Sequence, residues 1–216
     1  MKSLIQKYKH AWVFAYAIIY LPWFAYLEKT ITSKYHIIHI ALDDKIPFIE
    51  YFIVPYLLWF GFVAVGGIYF FLKDKTEFYK MAIFAIIGMT AFLIISTLYP
   101  NGQDLRPTEF ARDNIFVDIV KRLYQGDTPT NIFPSIHVYN SIAVFLAVRN
   151  SKHLKGKQLI QWGSFGLTTL IILSTVFLKQ HSVVDVIGAI VFAIPANHLA
   201  YKTEWKRAQV DNRITI

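Results

Sequence analysis

The chain has 216 residues, of which 55% are hydrophobic, 17% are aromatic and only 17% are charged. A soluble domain is typically about 25% charged, and disordered chains lack aromatic residues, so this composition argues against both classes. The formal net charge is +8, and the absence of cysteine excludes disulfides, thiolate metal sites and cysteine nucleophiles. In a soluble protein the basic excess would suggest nucleic acid. In so apolar a chain it indicates cytoplasmic loops, and we expect no nucleic-acid partner.

Six segments are apolar and long enough to be candidate membrane spans, since a spanning helix needs about 20 mostly apolar residues. They lie near residues 11–27, 51–72, 81–98, 135–149, 158–178 and 183–200. Lys2, Lys7 and Lys9 precede the first segment, but no small-residue cleavage pattern follows it, so we expect an uncleaved span. The sequence therefore predicts an all-α polytopic membrane protein with a six-helix transmembrane bundle. Residues 1–216 are expected to form one domain, with a catalytic core at about 81–200.

The distribution of lysine and arginine predicts the orientation of this bundle. Segments 1–10, 73–80, 149–157 and 201–216 hold 14 of the 22 basic residues. Because cytoplasmic loops are enriched in basic residues, we expect both termini to lie in the cytoplasm. We expect the protein to be an integral protein of the plasma membrane. The end of the third span and the start of the fourth then lie at the extracytoplasmic face. So do the end of the fifth span and the start of the sixth, and polar residues at these four ends can converge on one site.

His181 and Asp185 are the first candidate catalytic residues, at the start of the sixth span. Four residues apart on a helix, they would share a face. The carboxylate can accept a hydrogen bond from one imidazole nitrogen, which fixes the tautomer and leaves the other nitrogen free as a nucleophile or base. The alternative is a pair that merely anchors the start of the span, but ionisable residues within membranes are functional by default.

A second group of polar residues lies at the neighbouring helix ends. His137 and Ser135 occupy the predicted first turn of the fourth span after Pro134, which favours a helix start. The free N–H groups of that turn form a potential anion site. Arg106 and Lys179 supply the positive charge that a phosphoryl group needs. Alternatively, the span-four residues form a polar packing stripe, and each cation is an interfacial anchor.

These segments resemble the tripartite signature of the type 2 phosphatidic acid phosphatase superfamily. Its first element, a lysine separated from Arg-Pro by six residues, is matched by Arg106-Pro107, with Tyr99 at the lysine position. Its second, Pro-Ser-Gly-His, is matched by residues 134–137, with isoleucine replacing glycine. Its third is matched by Ser174, His181 and Asp185, with Thr175 where arginine is expected. The stretch from Thr130 to His137, the Lys-Gln-His at 179–181 and the Ile-Pro-Phe at 46–48 look more like the inositolphosphoceramide-synthase-like branch.

The resemblance implies a role for each candidate residue. His181 would attack phosphorus and form a phosphohistidine, oriented by Asp185. His137 would protonate the leaving lipid oxygen and then activate the water or alcohol that releases the phosphate. Arg106, Ser135 and the span-four amides would hold the phosphoryl oxygens. Two family cations are missing, at Tyr99 and Thr175, and we hypothesise that Lys179, or more weakly Arg112, supplies a replacement charge.

The implied reaction needs neither a metal nor a cofactor. His36 and His39 are three residues apart, a weak zinc signal without a set of carboxylates nearby. The expected activity is hydrolysis of a lipid phosphate or diphosphate at the extracytoplasmic face. The first alternative is a phosphotransferase that passes a headgroup phosphoalcohol to a lipid hydroxyl. The second is a small transporter or non-catalytic membrane protein, although the inverted repeats typical of transporters are not evident. The natural lipid, the oligomeric state and the role of segment 28–50 stay open.

Overall fold

The computed structural model describes residues 6–202, and eight α-helices lie within that range. The helices are α1 (Ala17–Thr30), α2 (Ala41–Lys45), α3 (Ile53–Lys73), α4 (Lys75–Leu98), α5 (Ile115–Gly126), α6 (Ile136–Asn150), α7 (Gln158–Phe177) and α8 (Val183–Asn197). A 3-10 helix, Lys9–Tyr16, leads into α1, another, Glu50–Phe52, leads into α3, and a π-helical turn, His198–Lys202, extends α8. Lys2 and the basic residues after Lys202, which enter the orientation count, lie outside the described residues.

Five of these helical segments are long and apolar enough to cross a membrane. They are Lys9–Thr30, Glu50–Lys73, Lys75–Leu98, Gln158–Phe177 and Val183–Lys202, and each contains or overlaps a segment predicted from the sequence. The structure is therefore mostly helical and suited to a bilayer. The predicted span near 135–149 is a helix too, but α6 has only 15 residues and is not one of the five.

Helix α6 lies in the centre of the bundle, in contact with α3, α4, α7 and α8. Its buried residues include Asn140 and Ser141 as well as small and aliphatic side chains. A helix surrounded by other helices does not need an apolar surface for lipid, which explains why α6 is less hydrophobic than its neighbours. Two glycines permit close packing around it. A side chain at Gly88 would collide with the ring of Tyr139 on α6, and one at Gly188 with the ring of Phe133.

The connection between α4 and α6 contains a helix that the sequence did not predict. Helix α5 begins at the cap residue Asn114, whose side chain accepts hydrogen bonds from the N–H groups of Phe116 and Val117. It buries Val117 and Val120 and leaves its other face polar. This amphipathic helix packs across one end of the bundle, where it contacts the start of α3.

Segment 28–50 is built into the same end of the bundle. The short strand β1 (His36–Ile37) pairs in parallel with β2 (Asn101–Gly102), and Gly102 forms a further bridge with Thr130. Asn101 is fully buried, and its Oδ1 accepts hydrogen bonds from the N–H groups of Ile132 and Phe133. These contacts join three connecting segments and fix the chain that leads into α6. We call this end, where α4 and α7 finish and α6 and α8 begin, the site end.

Candidate active site

His181 and Asp185 form a direct pair at the site end. His181 Nδ1 lies 3.3 Å from Asp185 Oδ2, and Asp185 is fully buried. His181 precedes α8 and does not lie on it, so helical spacing does not create the contact. Ser182 is the N-cap of α8, and its N–H donates to the same Asp185 Oδ2 at 2.8 Å. This capping box turns Asp185 back toward His181, whose own N–H donates to the carbonyl of Thr175.

His137 faces this pair from the first turn of α6. Its ring centroid is 5.9 Å from that of His181, with the rings inclined at 61°. Tyr56 and Trp59 of α3 pack against the His137 ring, at centroid distances of 4.6 Å and 4.4 Å. Aromatic contacts on a neighbouring helix thus hold the second imidazole in place. The structure brings together the three residues predicted to be catalytic.

A cavity of about 70 Å³ adjoins the two histidines. Four segments of the chain contribute its polar lining. They are α1 with Glu28, the α5–α6 connection with Asp127 and Asn131, the first turn of α6 with His137, and the α7–α8 connection with Gln180 and His181. The cavity is small and most of its lining residues are polar, so it suits the headgroup of a lipid and not a whole lipid. Phe24 and Phe92 line the same cavity from α1 and α4, which gives it an apolar side as well.

Arg106 does not line this cavity, but it binds Gln180, which does. Its Nη1 and Nη2 donate to the carbonyls of Asp127 and Thr128 at 2.8 Å and 3.2 Å, just beyond the end of α5. Nη2 also donates to Gln180 Oε1 at 2.6 Å. Its guanidinium stacks on the ring of Tyr124, and burial lowers the pKa of Arg106, opposed mainly by Asp127. Arg106 therefore fixes Gln180 and the α5–α6 connection.

Ser135 and Lys179, the other two predicted phosphate-binding residues, also have protein partners. Ser135 is fully buried as the N-cap of α6, and its hydroxyl accepts from the N–H of Val138. The Ser135 N–H donates to the carbonyl of Asp185. Lys179 Nζ donates to the carbonyl of Asp43 at 2.6 Å. Burial lowers the pKa of Lys179, opposed by the nearby carboxylates of Asp43 and Asp44. Neither residue lines the cavity.

The positions that depart from the family signature have local roles. The ring of Tyr99 stacks on His36 with a centroid distance of 4.2 Å. The hydroxyl of buried Thr175 donates to the carbonyl of Ile172. Arg112 binds Glu50, with Nε and Nη2 each 2.7 Å from a carboxylate oxygen. Arg112 thereby neutralises a buried carboxylate at the start of α3.

Asp43 and Glu28 belong to the site, although the sequence argument left both out. Asp43 is 2% exposed, and its carboxylate accepts from Ser182 Oγ at 2.6 Å and from the N–H of Val183 at 2.8 Å. It therefore supports the start of α8 directly beside His181. Glu28 comes from the end of α1. An acidic residue at the end of an apolar span was a usable signal, whereas only the folded chain shows where Asp43 lies.

A cluster with the spacing of a metal site lies at the opposite end of the bundle. Oxygen and nitrogen atoms of Asp74, Glu77 and His153 lie within 4.8 Å of one another. Lys152 Nζ is 2.7 Å from Asp74 Oδ2, and Glu77 accepts from the hydroxyl of Ser151. Burial raises the pKa of Asp74, but hydrogen bonds from Lys152, Glu77 N–H and His153 outweigh it and hold that pKa well below its usual value. The cluster joins the α6–α7 connection to the start of α4.

Comparison with known proteins identifies the family. The model of the PAP2 superfamily, the type 2 phosphatidic acid phosphatases, matches residues 102–209, half of the chain. The chain belongs to this superfamily. The match includes both histidines and Asp185, and segment 28–50 lies before it. The assignment of residues 1–216 to one domain with its core at about 81–200 stays a prediction.

One curated relative is similar over a longer stretch. An uncharacterized protein of Methanocaldococcus jannaschii is 27% identical over 146 residues, which are 67% of this chain and 57% of the relative. The chain thus spans little more than half the length of the relative that it matches. No solved structure matches the chain.

Proposed function

We propose that this PAP2 protein cleaves a phosphoester of a membrane lipid through a phosphohistidine formed on His181. The observation that carries the proposal is the His181–Asp185 pair facing His137 beside a small polar cavity. The phenylalanines on the apolar side of that cavity suit a substrate whose phosphate is attached to a lipid. The superfamily provides the prior expectation of phosphatase or phosphotransferase activity.

We assign one role to each of His181, Asp185 and His137. Asp185 holds Nδ1 of His181, which leaves Nε2 free to attack phosphorus. The N–P bond forms as the bond between phosphorus and the lipid oxygen breaks, and His137 gives that oxygen its proton. A water molecule then attacks phosphorus, His137 takes the proton of the water, and the N–P bond breaks. Hydrolysis returns both histidines to their starting states.

Neutral donors supply part of the oxyanion stabilisation in this mechanism. Gln180 lines the cavity, and its Nε2 has no protein partner. The first-turn amides of α6 carry the positive end of a helix dipole next to His137. Arg106 contributes by holding Gln180. Ser135 and Lys179 could bind the phosphate directly only if each released its present partner. Those partners are the N–H of Val138 and the carbonyl of Asp43.

We further propose that α6 is the sixth crossing and that the site faces the extracytoplasmic side. Helix α6 starts beside α8 at the site end, and its last turn leads to Ser151, which contacts Glu77 at the start of α4. It therefore runs antiparallel to α4, alongside much of that helix. With six crossings both termini lie on one side, and the basic residues of the loops favour the cytoplasm for that side.

The test is phosphate release by purified protein in detergent with EDTA. Phosphatidate, phosphatidylglycerol phosphate and undecaprenyl diphosphate are each offered to wild type, His181→Ala and His137→Ala. We expect release by wild type, and a loss of at least about 10³-fold for His181→Ala because the nucleophile is gone. Equal rates in wild type and His181→Ala would refute the assignment. Label that moves from a phospholipid to an added lipid alcohol would instead show headgroup transfer.

A further inference from the structure

The cavity beside the histidines has a negatively charged wall. Glu28 accepts hydrogen bonds from Asn131 Nδ2 at 2.8 Å and Thr128 Oγ1 at 2.6 Å, both of them neutral donors. Within residues 6–202, no lysine or arginine lies within ion-pair distance of Glu28. Asp127 lies on the same wall, and Arg106 is 3.6 Å from it. Glu28, Asp127 and Arg106 together carry a formal charge of −1 beside the cavity.

The two carboxylates also influence each other. Partial removal from water raises the pKa of Asp127, and Glu28 raises it further, while Arg106 and His181 act in the opposite direction. Two acidic groups that share one cavity are stabilised by a cation between them. A phosphate monoester would bring two more negative charges to this wall, and the one nearby arginine already serves Asp127 and Gln180.

Two buried side chains have unsatisfied atoms of opposite kinds. Asn131, 6% exposed, has no partner for its acceptor Oδ1, and Gln180, 2% exposed, has none for its donor Nε2. Both residues line the cavity. A buried polar group without a partner is energetically costly, so each of these atoms is a candidate ligand contact. The acceptor, Asn131 Oδ1, lies on the wall with the two carboxylates, and the donor, Gln180 Nε2, is next to His181 in sequence. This arrangement suits a ligand with a positive group at one end and a negative group at the other.

We propose that the substrate headgroup is zwitterionic, with an ammonium group on a short arm attached to the phosphate. Glu28, Asp127 and Asn131 Oδ1 accept hydrogen bonds from the ammonium, and Gln180 Nε2 donates to a phosphoryl oxygen next to His181. The inference rests on the proposed function and specifies its substrate class. The ammonium supplies the positive charge that the residues at Tyr99 and Thr175 do not.

The covalent step is unchanged by the larger headgroup. His181 Nε2 attacks phosphorus, the bond from phosphorus to the glycerol oxygen breaks, and His137 protonates that oxygen to release diacylglycerol. The phosphohistidine then carries the aminoethyl ester. Water attacks phosphorus, the N–P bond breaks, and phosphoethanolamine leaves with its amine intact.

Two substrates that differ only in the ammonium group test the proposal. Diacylglycerol release from phosphatidylethanolamine is compared with release from phosphatidylpropanol, in which a methyl group replaces the ammonium. A charge-assisted hydrogen bond is strong enough for a preference of about 10- to 100-fold in kcat/KM for the amine. We expect Glu28→Gln to remove most of that preference and Asp127→Asn to reduce it. Glu109→Gln removes a carboxylate from an exposed loop position outside the cavity and should leave the preference intact.

A binding measurement separates this inference from the proposed function. O-phosphoethanolamine should raise the thermal unfolding midpoint of wild type more than propyl phosphate does, and Glu28→Gln should remove the difference. Equal effects of the two ligands would overturn the inference even if phosphatidate is hydrolysed. A preference for phosphatidate that requires added Mg²⁺ and disappears in Glu28→Gln would also overturn it, because the wall would then bind a divalent cation. Ammonium-dependent binding without any turnover would instead refute the catalytic assignment alone.

Discussion

Arg106 binds protein groups around the cavity and does not line it. Its guanidinium binds the carbonyls of Asp127 and Thr128 and the side-chain oxygen of Gln180. The oxygen of the Gln180 amide is thereby occupied, and the NH₂ group must point elsewhere. Arginine is suited to this position because its planar fork can bind several acceptors at once. We infer that Arg106 is a positioning residue and that Gln180 makes the contact.

A double-mutant cycle tests this relation. Gln180→Ala should lower kcat/KM about 10²-fold, the usual effect of losing one oxyanion donor. Arg106→Lys should lower it as well, because a lysine cannot bind the same set of acceptors. In the double variant, kcat/KM should be close to that of Gln180→Ala, while the loss of thermal stability from Arg106→Lys persists. Fully additive losses in kcat/KM would mean that Arg106 acts on the substrate independently.

At the scale of the single residue, the sequence predicted which side chains come together better than it predicted their contacts. His181, His137 and Asp185 were predicted from residue type and order, and the structure brings them together. Lys179 was predicted to face the phosphate, yet its ammonium binds a backbone carbonyl. Its partner Asp43 is 136 positions away in sequence, a distance that no local pattern can bridge.

At the scale of the element, long apolar helices were predictable and the connections were not. The five strongest spans follow from composition alone. Helix α5 has local signals, the cap residue Asn114 and an amphipathic pattern, but it is too short to be a membrane span and was missed for that reason. Strand β1 was missed because its partner, residues 101–102, is distant in sequence. Asp43 in α2 shows the same dependence, since it caps α8.

The packing of α4 against α6 gives a prediction for Gly88. A Cβ atom at this position would overlap the ring of Tyr139, which lies two residues after His137. Gly88→Ala should therefore destabilise the fold by about 1–3 kcal/mol and reduce turnover, since overpacking displaces α6. Gly67→Ala is the matched control, because a Cβ atom there meets nothing within 4 Å. Thermal unfolding in detergent measures both, and equal midpoints would contradict the predicted collision.

His39 gives a pH-dependent prediction for the segment that carries Asp43. Hydrogen bonds to Asp104 and Asp44 raise the pKa of His39 above its ordinary value of about 6.5. The charged ring thus stabilises the fold fully below about pH 6.5, and this contribution is lost as the pH rises through the raised pKa. The unfolding midpoint of wild type should fall relative to that of His39→Asn across this interval. If the unfolding midpoints of the two proteins changed in parallel with pH, the hydrogen bonds from His39 to Asp44 and Asp104 would contribute nothing to stability.

At the scale of the whole molecule, the contact of each helix with lipid or protein explains which spans could be predicted. The five apolar helices were predictable, and α6 was the weakest of the six predicted spans. The bilayer imposes length and hydropathy on helices that contact lipid, and those constraints can be read from composition. Helix α6 is surrounded by protein and escapes them, although it carries His137. One of the three predicted catalytic residues, His137, therefore lies where the hydropathy signal is weakest.

The absence of cysteine makes the proposed orientation directly testable. Each introduced cysteine is the only thiol, so a maleimide that cannot cross membranes reports the side on which it lies. Glu109 is exposed in the connection at the site end, and Lys155 is exposed in the α6–α7 connection at the opposite end. Glu109→Cys should be labelled in intact cells, and Lys155→Cys only after permeabilisation. The reverse pattern would put the site in the cytoplasm. Labelling of both in intact cells would require an even number of crossings between them, and α6 would then not be a span.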